Sequence, residues 1–324
     1  MKHLINIATD TETLSWFEND WSNIQALVNR HGLDGVEICV GPSYPLERIP
    51  KSLICGVHLR YFPIWLDFWR EDKEALLRQF GSEEIIKHYY GGIGKKYLVE
   101  FFKQEFARAR ALNAKYMVFH VAHVELLDAY TRQFSYTDED VLEASLEIIE
   151  EAFGYEDQGI TLLLENLWWP GLRLVDYQST KDFFERVSYP NKGFVLDISH
   201  LMITNPALRT EQEACQYIMQ VVEGLKELKQ KIMAVHLNKS LPGAYFMEDH
   251  RKKVDEICKL PSFWEKLSFI RPHISAIDWH VPFECSEIKQ VIEMINPKFL
   301  VYELLAHNLA ELEEMITIQK AALR

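Results

Sequence analysis

Eight short apolar runs of strand length recur along the chain, most of them separated by stretches with helical spacing, and this alternation restricts the fold more than any other feature. They lie at 3–9 (HLINIAT), 34–40 (DGVEICV), 54–62 (ICGVHLRYF), 115–122 (KYMVFHVA), 160–166 (ITLLLEN), 193–199 (GFVLDIS), 232–238 (IMAVHLN) and 299–305 (FLVYELL). Runs this apolar suit strands buried on both faces, the condition of a parallel sheet whose crossovers are helices. Eight such units in 324 residues predict an α/β fold, a single (β/α)8 barrel spanning 1–324. The clearest helix is predicted over 138–153, where Thr137 and Asp140 have capping-box spacing and Leu142, Leu146, Ile149 and Phe153 share a face. Another is predicted over 97–112, with Leu98, Phe102, Phe106, Ala109 and Leu112 in register. No fixed-period repeat or flexible linker interrupts the pattern. Two connections are too long for minimal loops, 63–96 after the third strand and 239–277 after the seventh. Both would leave the C-terminal face of the barrel, where sites are built, and are candidates for covering a substrate.

The last six of these strands each carry a metal-capable residue near the C-terminal end: His58, His120, Glu165, Asp197, His236 and Glu303. An ionisable side chain in a dry interior costs several kcal/mol unless it is paired or ligates a metal. Parallel strands bring equivalent heights to one mouth, so the six are expected to form one cluster. LDISH adds His200 three residues past Asp197, and DWH adds Asp278 and His280 at alternate positions of an extended segment, pointing to one side. Asp249 and His250 offer a competing pair, and His123 is either a supporting partner of His120 or a loop residue. Singly, each histidine reads as an ordinary hydrogen-bonded residue; the joint placement points to divalent metal. Nitrogen and oxygen donors without thiolates suit zinc, manganese or iron.

Thirty-five basic against 48 acidic residues give a net charge of −13, which disfavours nucleic acid as a partner. No basic leader and no apolar run of membrane-spanning length appear, so a cytoplasmic location, a small-molecule substrate and no membrane partner are expected, with a homo-oligomer left open. Five dispersed cysteines, Cys39, Cys55, Cys215, Cys258 and Cys285, suggest neither a disulfide framework nor a thiolate metal site, although Cys285 lies near the candidate site. Trp65, Trp69, Trp168 and Trp169 follow strand ends and read either as stacking walls for a substrate or as rim packing. Arg60, Arg173 and Lys239 are candidate phosphate contacts or solvated rim charges.

The ordered fragments VHLRY, VFH, LLLEN, LDISH, AVHLN, DWHVPF and VYEL resemble the xylose isomerase-like, AP endonuclease family 2 superfamily over essentially the whole chain. The resemblance implies a metal held by Glu165, Asp197, His236 and Glu303, the set used by its sugar isomerases and epimerases, in which the two glutamates also move a proton. Its phosphodiesterase branch implies added ligands, here His58 and His120 for one ion and His200, Asp278 and His280 for another, giving one to three ions per chain. All nine positions are filled, which favours a phosphodiester hydrolase, with Glu165, Glu303 and His200 as the expected catalytic groups. A nucleotide-bearing cofactor such as a cobamide fits the acidic, aromatic character of the chain. A single-metal sugar isomerase or epimerase is the alternative, and an AP endonuclease the third choice, because the long insertions and the negative charge depart from the DNA-repair pattern.

Overall fold

In a computed structural model that describes residues 1–324, the apolar runs form parallel strands β1 (Lys2–Ala8), β2 (Gly35–Cys39), β3 (Ile54–His58), β4 (Tyr116–His120), β5 (Thr161–Glu165), β6 (Lys192–Asp197), β7 (Ile232–His236) and β8 (Phe299–Tyr302). Each pairs with its neighbour in sequence, and β8 returns to β1, with Lys2 opposite Phe299 and Ile5 opposite Tyr302. The sheet is therefore a closed barrel without edges. Several strands stop before their apolar runs do. The run at 54–62 ends as strand at His58, and Phe62 packs instead on Tyr89, Tyr90 and Phe101 outside the barrel.

The expected helix at 138–153 is present as Asp138–Phe153, started by a reciprocal capping box between Thr137 and Asp140. Its counterpart at 97–112 runs from Lys96 to Ala111. No helix is long and apolar enough to cross a membrane.

Period-two alternation explains how the barrel carries a polar mouth. Leu4, Val118, Leu163, Val195, Ala234 and Val301 form a fully buried interior layer with Cys55 and Tyr116. Two residues further along each strand the inward side chain is Asn6, His120, Glu165, Asp197, His236 or Glu303. Glu37 on β2 and His58 on β3 complete this upper layer, so every strand contributes one polar group. Ladder register sets neighbours within it: His120 lies opposite Glu165, and Asp197 opposite His236.

Tyr116 links the two layers. Its ring lies over Gly56 of β3, where an added Cβ would fall 2.1 Å from the ring, and its hydroxyl donates to Glu37 at 2.7 Å. Gly56→Ala is expected to push Tyr116 aside, destabilise the barrel by about 1–3 kcal/mol and release Glu37. Urea denaturation of the variant measures the loss; unchanged stability would contradict this packing.

The two long connections are structured. The first contains helices Leu66–Trp69, Lys73–Phe80 and Glu83–Tyr90, and the second Gly243–Phe246, Arg251–Cys258 and Phe263–Ile277. Their aromatic residues interlock above the mouth: Phe80 stacks on Phe263 with ring centroids 4.3 Å apart, Tyr89 meets the same ring edge-on at 5.4 Å, and His88 meets Trp264 at 5.4 Å.

Candidate metal centre

The nine expected residues converge. Four overlapping groups place ligand-type atoms within 4.8 Å of one another: three drawn from the expected residues, His58, His120 and Glu165; Glu165, Asp197, His236 and Glu303; and Asp197, His200 and His280; and a fourth in which Glu37 joins His58 and His236. Asp278 joins the third, with Oδ2 3.0 Å from His280 Nε2 and 3.4 Å from His200 Nε2. His58, Glu165, Asp197 and His236 each belong to two groups, so the arrangement is one connected cluster.

Asp278 and His280 meet by a route other than strand alternation. Asp278 caps the helix Phe263–Ile277, while His280 has a left-handed backbone with φ of 48°. Asp278 is steadied by Ser199, whose hydroxyl donates to Oδ1 at 2.8 Å. Asp249 and His250 stay outside: Asp249 is exposed and bound to Arg251, and His250 Nε2 lies 2.9 Å from the Tyr245 carbonyl.

Polar partners around the cluster decide which ring nitrogen His58, His200 and His236 present. His58 Nδ1 donates to the Leu59 carbonyl at 3.1 Å and His200 Nδ1 to the Asn166 carbonyl at 2.8 Å, so Nε2 faces the cluster in both. Asn166 also grips the Asp197 backbone at both its N–H and its carbonyl, and Asn238 donates to Asp197 Oδ2 at 2.9 Å. His236 is reversed. Its Nε2 lies 3.1 Å from a Glu37 oxygen, leaving Nδ1 towards Glu165 at 3.2 Å and Glu303 at 2.9 Å.

Glu37, Asn166 and Asn238 were not among the residues expected from the sequence. The signal for Glu37 was present, a lone carboxylate inside the apolar run DGVEICV, and the asparagines are the last residues of LLLEN and AVHLN, one position after Glu165 and two after His236. Glu37 is fully buried and also accepts from Asn6 at 3.0 Å. A carboxylate behind a ligating histidine fixes its tautomer, and losing it typically costs 10–100-fold in metal affinity. Glu37→Gln is expected to weaken zinc binding by about that factor, read by competition with a chelating dye; a change below about twofold would exclude the role.

Burial and charge act against one another here. Burial drives His120 down to about 3, leaving it a neutral lone-pair donor. For His58, burial opposes protonation, but the adjoining carboxylates, Glu165 first and then Glu303 and Glu37, outweigh it and raise the ring to about 9. His200 also rises to about 9 and His280 to about 10, both against burial, through Asp197 and Asp278 for the first and chiefly Asp278 for the second. Burial raises Asp197 to about 6. Glu303 is held low despite its burial, chiefly by the charge of His236.

Whether these residues fit metal can be tested on the atoms themselves. Glu165 Oε2 is buried with no hydrogen-bond donor, although His58 Nε2 and His120 Nε2 stand 3.2 and 3.4 Å away. His120 Nδ1 is likewise buried without a partner. Imidazole nitrogens crowded on a carboxylate oxygen without hydrogen-bond geometry are the disposition of ligands around a cation, and the donor set suits zinc or manganese.

The other expected contacts have these surroundings. Trp168 packs on His200 with centroids 5.1 Å apart, and Trp169 packs on Trp168 at 4.8 Å. Trp65 donates its indole N–H to the Ala122 carbonyl at 2.7 Å, and Trp69 to Glu147 at 2.7 Å. Arg60 pairs with Glu105 at 3.1 Å, Lys239 pairs with Glu211, and Arg173 pairs with Asp138. His123 accepts the backbone N–H of Trp65 at 3.1 Å and so anchors the first insertion. Tyr61, not anticipated, stacks on His120 at 4.5 Å. Cys285 Sγ lies 3.7 Å from Cys215 Sγ, away from the ligand atoms. A cavity of about 330 Å³ opens beside His280 and Glu303, lined also by Asn6, Asp10, Thr13 and Trp16.

No curated protein sequence matches the chain. The family described as xylose isomerase-like TIM barrel matches residues 25–283. Solved structures share the barrel at low identity. The IolI protein with a bound zinc atom is 15% identical, with TM-score 0.50, over 99% of this chain and 96% of that one. The probable 3-DHS dehydratase AsbF of Bacillus anthracis is 14% identical, with TM-score 0.50, over 100% and 98%. An AP endonuclease family 2 protein of Brucella melitensis is 15% identical, with TM-score 0.50, over 98% and 97%.

Proposed function

The chain belongs to the xylose isomerase-like TIM barrel family, and on that footing we propose that it is a divalent-metal-dependent phosphodiesterase acting on a small molecule, with a nucleotide-bearing cofactor such as a cobamide among the candidate substrates. The observation that carries this reading is the third group. Asp197, His200 and His280, with Asp278, stand beside the four-residue set Glu165, Asp197, His236 and Glu303, which alone would serve a single ion.

Bound divalent ions would supply Lewis-acid polarisation of the phosphoryl oxygens and make a water at the site more acidic. His58, His120 and Glu165 would hold one, the four-residue set a second, and the third group another. The residues divide the remaining work. Asn166 and Asn238 fix Asp197, and Glu37 fixes His236. Trp168 and Trp169 close the side next to His200 against water. The cleft bounded by Asn6, Thr13 and Trp16 admits the ester beside His280 and Glu303.

Zinc- or manganese-supplemented protein is tested for hydrolysis of bis(p-nitrophenyl) phosphate and of a cobamide, alongside His200→Ala and His280→Ala. Hydrolysis that falls about 10²-fold or more in both variants, the scale of losing an oriented electrostatic contact, supports the reading. No hydrolysis by the parent with any metal or diester overturns it.

The four-residue set by itself favours a second reading, a single-metal sugar isomerase or epimerase, with Glu165 and Glu303 as proton-moving carboxylates. That reading predicts deuterium uptake next to a substrate carbonyl, undiminished in His280→Ala. Cleavage of abasic DNA ranks third, since a chain with net charge −13 repels a polyanion.

A further inference from the structure

A second cavity, of about 340 Å³, lies between the two insertions, and none of the nine clustered residues lines it. Its walls come from four segments: Pro63 and Ile64 after β3, Val124 to Leu126 and Ala129 after β4, Trp169 after β5, and the helix Phe263–Ile277. The helix presents Leu267, Ile270, Arg271, Ile274 and Ser275. Spacings of three and four place these on one face, so the helix turns a continuous stripe towards the cavity, in which Ile270 is buried and Leu267 and Ile274 pack against the core at its wall. Eight of the twelve lining residues are hydrophobic, and the volume falls in the usual range of small-molecule sites, about 300–1,000 Å³.

The lining carries one guanidinium and one carboxyl. Arg271 is exposed, forms no ion pair, and lies one turn before Ser275 on the same stripe. Glu125, the lining carboxyl, is pushed up to about 8 by burial and by the neighbouring Asp67. An exposed guanidinium without an ion pair and a hydroxyl one turn away, at the edge of an apolar chamber, form a complement to one anionic group on an apolar body.

We propose that this cavity is a binding site, separate from the metal centre, for a small molecule with an aromatic or alicyclic body and a single carboxylate, sulfonate or phosphate, the ring lying against Trp169, Ile270 and Ile274 and the anion on Arg271 and Ser275. The proposal is independent of which reaction the metal centre performs.

The full-length, metal-loaded protein is titrated with 8-anilino-1-naphthalenesulfonate and, separately, with its uncharged relative N-phenyl-1-naphthylamine. Each dye should saturate at one site per chain and quench tryptophan fluorescence. Arg271→Gln, an exposed substitution compatible with folding, should weaken the sulfonate dye about tenfold and leave the neutral dye unchanged. Ile274→Trp, which fills the chamber, should abolish both signals while the circular dichroism spectrum is retained. Sulfonate affinity unchanged in Arg271→Gln overturns the proposal, as does binding of either dye that survives in folded Ile274→Trp.

Discussion

Glu165→Gln is expected to strip the cluster of bound metal and to lower metal-dependent turnover by about 10³-fold or more, several kcal/mol of lost charge stabilisation. Its Oε1 faces His236 Nδ1 at 3.2 Å and His200 Nδ1 at 3.6 Å, and its Oε2 faces His58 and His120 at 3.2 and 3.4 Å. Its two oxygens thus stand between His58, His120 and His236, with His200 just beyond. An amide keeps the shape but removes the charge, and it replaces one oxygen with an N–H group aimed at ring nitrogens. Elemental analysis before and after the substitution gives the answer: metal content equal to that of the parent would show that Glu165 is not shared between sites.

Metal removal is expected to make stability steeply dependent on pH. The raised values of His58, His200 and His280, from about 9 to about 10, exceed the unfolded value near 6.5. Groups with raised folded values stabilise fully below the unfolded value, and that stability disappears as pH climbs through the folded ones. The metal-free protein should therefore lose melting temperature progressively from about pH 6.5 to about pH 10. Saturating zinc replaces the protons as counter-charge and binds only the folded cluster, so the metal-loaded protein should melt higher and lack most of this slope. Melting curves at half-unit pH steps, with chelator and with zinc, measure the difference; parallel profiles would contradict it.

The barrel was legible because strand burial writes apolar runs and the mouth writes ionisable residues at their ends. Both signals are local. Strand ends were less so: Tyr61 and Phe62 look like continued strand, yet one stacks on His120 and the other packs on the insertion. Helix Asp138–Phe153 could be bounded because its capping box is written in neighbouring letters. Glu37 escaped because its partners Asn6, Tyr116 and His236 come from β1, β4 and β7, and only the closed barrel assembles them. The route by which Asp278 reaches the cluster depends on where the helix Phe263–Ile277 ends, which alternation along a strand does not describe.

The interlocking of the two insertions constrains how such a chain can change over generations. Phe80 and Phe263 are each almost wholly buried and stack on one another, and Phe80 packs also on Tyr89 and Tyr90 of its own segment. Deleting either segment would strip aromatic surface from the survivor, inviting aggregation before any loss at the centre is felt. Relatives are therefore expected to carry both insertions or neither, and a lineage that shortens one to rebuild the other's exposed face in polar residues.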